Sequence, residues 1–123
     1  MFNPFEYFEY YRVYERIAQI LRAELEEDID AQRRCQVLTE IGILEESMRS
    51  IAHTIEHYTP VYPPPKYSAL KQSDDRAFLH CRYILGLTME QTAEKMHVSR
   101  DTAYRIRRRI AQTSIPYGSK PRA

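Results

Sequence analysis

Between Ser99 and Arg109 the chain carries five arginines, Arg100, Arg105, Arg107, Arg108 and Arg109, interleaved with Asp101, Thr102 and Tyr104. A guanidinium is a permanently charged planar fork whose donors match a phosphate or the edge of a base. Hydroxyls and a carboxylate beside it add further donors and acceptors. The chemistry on offer is charge-assisted hydrogen bonding to a polyanion rather than bond breaking.

Such side chains read a partner only where a rigid element projects them. Residues 87–112, LTMEQTAEKMHVSRDTAYRIRRRIAQ, contain two short helical patterns joined by a tight turn. Thr88 is a favourable N-cap with Gln91 three residues on, so the pair can form a capping box. Ser99 caps the second pattern, and Asp101 places a negative charge in its first turn, where the helix dipole favours one. Met96, His97 and Val98 leave room for a turn of three or four residues, the spacing of a helix-turn-helix. Thr92 and Ala93 allow close approach of the two helices, and Val98, Ala103, Ile106 and Ile110 form the inward stripe.

The outward residues then take expected roles. Ser99, Arg100 and the main-chain amides at the helix start would hold phosphates. Thr102, Tyr104 and Arg105 would approach base edges, with Asp101 beside them. Arg107, Arg108 and Arg109 would add backbone charge, though helical spacing turns some of them away from DNA. An isolated run of this kind is more often a solvated face; the capped turn ahead of it weighs for double-stranded DNA.

The stretches RYILGLTMEQTAEKM and VSRDTAYRIRRRI make residues 87–110 similar to the helix-turn-helix of the fourth region of bacterial sigma factors. Residues 74–111 also resemble the small phage late-transcription regulators of the RinA/ArpU type, which carry the same module. The resemblance implies a cytoplasmic regulator of phage or mobile-element type that works with promoter DNA. One departure is His97, at a turn position usually held by Gly; His is among the types that tolerate the left-handed backbone required there.

The 123 residues suit one domain or two small units. A hydrophobic fraction of 43% can fill a core, while 28% charge and the lack of a long apolar run argue against a membrane span. The start, MFNPFEYFEYY, lacks the basic and apolar regions of a signal peptide. Cys35 and Cys81 have no metal or redox spacing and read as thiols in a reducing cytoplasm. Net charge is only +1, but residues 1–58 hold six basic against twelve acidic residues and the remainder twelve against five. The front half is thus at −6 and the rear at +7. The rear suits phosphates and the front is repelled by them.

In chain order, Asn3-Pro4-Phe5-Glu6 reads as a helix start, followed by a stripe of Tyr7, Tyr10, Tyr14, Ile17 and Leu21. Its first half has more aromatic side chains than one stripe can bury, which predicts either a second surface, as a dimer interface or a partner site, or packing beneath the DNA-binding unit. Asp28 or Asp30 can cap a second helix, whose seam Val37, Ile41, Leu44, Met48, Ile51, Ile55 and Tyr58 repeats as a heptad. An acidic helical hairpin or dimerising coiled coil over residues 1–58 is expected, favouring a homodimer through these helices. His53 and His57 are spaced to chelate but have no evident third ligand, and read as a solvated face.

Residues 59–73, TPVYPPPKYSALKQS, read as a proline-rich spacer between two units. Asp74 or Asp75 is expected to open the first helix of a three-helix unit over residues 74–112, with Phe78, Cys81, Ile84 and Leu85 buried and Gly86 as C-cap. Residues 113–123 read as a flexible basic tail. The fold expected is all-α.

No nucleophile elbow, phosphate loop or dinucleotide fingerprint is present, so no enzyme activity and no cofactor or metal are expected. The leading expectation is a sequence-specific DNA-binding transcription regulator. Two others compete: an interaction protein whose acidic helices bind RNA polymerase, a host factor or a defence protein, and a packaging-type oligomer that recognises DNA.

Overall fold

A computed structural model describes residues 4–114. It is all-helical over that span: α1 Pro4–Leu25, α2 Ala31–Glu56, α3 Ala69–Leu79, α4 Met89–Met96 and α5 Arg100–Gln112. Helices α1 and α2 form the N-terminal hairpin, and α3 to α5 form the three-helix unit. No helix among the described residues is long and apolar enough to cross a membrane. The expected Asn3 cap lies outside the described residues.

The hairpin turns where local chemistry stops one helix and starts the next. Asp30, in extended backbone, accepts from the Arg33 amide at 2.7 Å and caps α2. Arg33 then reaches back to Glu24 near the end of α1, with contacts of 2.6 and 2.9 Å that hold the Glu24 carboxyl below its ordinary range. Residues 26–30 therefore separate two helices, α1 and α2. The α2 seam lies where its heptads put it: Val37, Ile41, Ile51, Ile55 and Tyr58 are buried, and Leu44 and Met48 half-buried.

The seam of α1 differs from the expected one. Phe5, Phe8, Ala18 and Leu21 are buried, whereas Tyr10 and Ile17 are exposed. The helix is rolled so that Phe8 enters the core beside Tyr83, with ring centroids 5.8 Å apart. Burying a phenylalanine contributes about 1.5–3 kcal/mol, more than a tyrosine with its hydroxyl to satisfy would give there.

One hydrophobic core serves both halves of the chain. Phe5 and Phe8 of α1, Ile51 and Ile55 of α2, Phe78 and Leu79 of α3, and Ile106 and Ile110 of α5 belong to a single buried cluster. The spacer expectation for residues 59–73 is corrected accordingly. Tyr62 donates its amide to the Thr113 carbonyl at 3.0 Å, and the Tyr58 and Thr113 hydroxyls meet at 3.2 Å. Arg76 donates to the Tyr58 carbonyl at 2.9 Å. The prolines form a strap that fastens the end of α2 to α3 and to the end of α5. Thr113 is buried in this contact, so the expected tail does not begin at residue 113; the part beyond 114 lies outside the described residues.

Two further corrections concern α3. It begins at Ala69 rather than at Asp74 or Asp75, because Ser68 accepts from the Lys71 amide at 3.1 Å and caps it earlier. At its end the backbone widens into a π-helical turn, His80–Ile84. A π turn shifts the register of the side chains that follow. Tyr83 is therefore buried and Leu85 exposed, the reverse of a regular 3.6-residue repeat, while Phe78 and Cys81 are buried as expected. Gly86 closes the helix at φ +70°, with the Leu87 amide bonded to the Cys81 carbonyl at 3.0 Å.

Candidate nucleic-acid interface

Local contacts fix the start of α4 and both ends of the turn into α5. Thr88 accepts from the Gln91 amide at 3.2 Å while Gln91 accepts from the Thr88 amide at 2.9 Å, which completes the capping box. His97 ends α4 in left-handed backbone, φ 59° and ψ 41°. Ser99 then accepts from the Thr102 amide at 3.1 Å and donates to the Thr102 hydroxyl at 2.9 Å. His97, Val98 and Ser99 thus connect α4 to α5, with His97 and Ser99 in the roles their types suggest.

Apolar residues hold α5 down. Ala103, Ile106 and Ile110 are buried against the rest of the unit, and Thr92 and Ala93 of α4 are buried too. This orientation leaves Ser99, Arg100, Asp101, Arg105 and Arg108 exposed, with Thr102 and Tyr104 half-buried beside them. Asp101, Arg105 and Arg108 are spaced four and three apart and so share one face. Neither Arg105 nor Arg108 makes a hydrogen bond or ion pair among the described residues. Both guanidiniums are free to take an anion.

The other arginines are engaged. Arg109 points to α3, where Nε and Nη2 lie 3.0 and 2.5 Å from Oδ1 of Asp75 and Nη2 lies 3.4 Å from the Lys71 carbonyl. The side chain is 19% exposed and satisfies a fully buried carboxylate, so it is one of the arginines that helical spacing was expected to turn from the open face. Arg107 turns to the opposite side and stands over the Phe5 ring, 4.8 Å from its centroid. It remains exposed but lies toward α1. Arg100 meets Glu90 of α4 at 3.3 Å and the Tyr104 ring at 5.6 Å from its centroid.

Glu90 and Asp75 are the residues at this site that sequence reasoning passed over. Glu90 is ten positions from its arginine and Asp75 is 34 from its own, so no helical spacing links them. An acidic residue inside a basic unit is the available signal, and it is a weak one.

Other candidate chemistry is sparse. His53 and His57 are exposed, with ring centroids 4.4 Å apart. Among the described residues, no three His, Cys, Asp or Glu side chains converge as a metal-ligand set. Cys35 is exposed, and burial raises the Cys81 thiol above its ordinary value. Compared with known proteins, the chain matches no family model, no curated protein and no solved structure.

Proposed function

We propose that the protein is a sequence-specific, double-stranded-DNA-binding transcription regulator of phage or mobile-element type that reads the major groove with α5. The observation that carries this reading is the partition of the α5 arginines. Arg105 and Arg108 sit on the exposed face behind a capped three-residue turn without a partner among the described residues, while Arg109 is committed to the fold. Desolvating a bare guanidinium against phosphate releases counterions and needs no internal contact to break first. The likeness of residues 74–111 to phage late regulators supports the biological setting. Selection of bound duplexes from a random pool, with the full chain, tests the reading: an enriched motif supports it, and an unenriched pool sinks it.

A second reading rests on a separate observation. Tyr10, Val13, Ile17 and Ile20 of α1 are exposed by 41–64% and recur at 3, 4 and 3 spacing. An outward apolar stripe of that period favours a contact with another helix, from a second copy or from a partner such as RNA polymerase. The hairpin would then serve assembly while α5 serves DNA. Mass in solution for the parent and for Ile17→Glu distinguishes a homodimer from a monomer awaiting another protein.

A further inference from the structure

Arg100, the first residue of α5, is exposed yet held from two sides. Across the turn, Glu90 places a carboxylate oxygen 3.3 Å from the guanidinium. One helical turn along α5, the Tyr104 ring packs against the same group at 5.6 Å from its centroid. A long side chain samples many rotamers, and freezing one on contact weakens binding. Arg105 and Arg108 carry that handicap, since neither has an internal partner among the described residues. Arg100 does not.

Orientation matters unequally among nucleic-acid contacts. Phosphate oxygens accept from many directions, so a mobile guanidinium serves them. O6 and N7 of guanine accept a planar fork in one orientation. Resting on the DNA-binding reading, we propose that Arg100 reads a guanine edge and that Glu90 and Tyr104 are positioning residues that aim its guanidinium. Arg100 thereby moves from the expected phosphate contact to a base contact. The Glu90 carboxylate also repels phosphate, so it lowers affinity for every duplex while sharpening the choice among them.

The test uses the full chain, a duplex recovered by selection, and the same duplex with each G·C pair changed singly to A·T. Discrimination is the ratio of affinities at one salt concentration, with the thermal midpoint of each variant recorded alongside. Arg100→Ala should abolish discrimination at one G·C pair, a change of about 5- to 150-fold. Glu90→Gln, which keeps the shape and removes the charge, should reduce discrimination at that same pair by about three- to ten-fold. It should bind unrelated duplexes as well as the parent or better. In the Arg100→Ala background, Glu90→Gln should change nothing further at that pair. Tyr104→Phe should keep the discrimination that Tyr104→Leu loses.

The proposal is overturned if Glu90→Gln shifts all duplexes by one common factor, or if its effect persists without Arg100. A parent that binds no duplex overturns the DNA-binding reading itself, and this inference with it.

Discussion

Arg109 and Asp75 lock α5 to α3: Nη2 of the arginine stands 2.5 Å from Oδ1 of a carboxylate that has no solvent exposure. Tyr67, on the proline strap, donates its phenol to the other carboxylate oxygen at 2.6 Å. The strap, α3 and α5 therefore share one charge. Helix α5 is held by polar contacts on one flank and by Phe5 beneath Arg107 on the other.

Removing one partner of a buried pair leaves the other charge unpaired, which costs about 3–5 kcal/mol. Arg109→Met is expected to fall in that range by urea unfolding, while the folded fraction binds DNA as the parent does. A variant with unchanged stability and lost DNA affinity would make Arg109 a DNA contact after all.

Arg108 and Arg105 should behave in the opposite way. Both are exposed and unpartnered among the described residues, so truncation should leave the unfolding midpoint within about 0.5 kcal/mol of the parent. Arg108→Ala should weaken binding to all duplexes alike and lower the salt slope by about one. Arg105→Ala should cost about 1–3 kcal/mol on the selected duplex and relax its preference if the side chain meets a base edge. Titrations on selected and scrambled duplexes check both.

Two glycines should respond to alanine with opposite signs. Gly42 lies within α2 and a Cβ there meets nothing within 4 Å, so Gly42→Ala should stabilise by about 1 kcal/mol. Gly86 has φ +70°, and a Cβ there would stand 2.7 Å from the Arg12 guanidinium carbon. Gly86→Ala should destabilise by about 1–2 kcal/mol from the left-handed backbone alone, with the flexible arginine tip able to move aside. Thermal or urea unfolding of the pair is sufficient.

Alkaline pH should loosen the strap. Burial, and then hydrogen bonding to Asp75, raise the Tyr67 phenol above its ordinary value of 10.0. A group whose folded pKa is raised contributes stability that is complete below its unfolded pKa and lost as pH rises toward the folded one. Stability should therefore hold to about pH 10 and decline above it. Tyr67→Phe should be less stable at neutral pH and flatter above pH 10. An equal slope in both proteins would place the alkaline loss elsewhere.

Local chemistry made much of this fold legible in the sequence. Thr88 with Gln91, Asp30, Ser99 and Gly86 each act within a few residues of themselves, and each does what its type suggests. The α2 seam was legible because heptad spacing is also local. The candidate site was legible as a face but not as a set of partners. Arg105, Arg107, Arg108 and Arg109 are equivalent by composition, and only tertiary contacts with Phe5 and Asp75 separate the free from the engaged. Asp75 reads as a helix-opening residue and not as a buried carboxylate because its satisfying groups lie 8 and 34 positions away. The π turn also hides from a 3.6-residue repeat, which misplaces Tyr83 and Leu85.

The most direct measurement is the affinity of the full chain for its selected duplex across a range of salt concentrations. Each phosphate neutralised contributes about −0.9 to the slope of log K against log salt. With Arg108 exposed and without an internal partner among the described residues, a slope of about −0.9 or steeper is expected, made shallower by Arg108→Ala and not by Arg109→Met. A slope near zero, or one that only Arg109→Met reduces, would contradict DNA contact through the exposed face of α5.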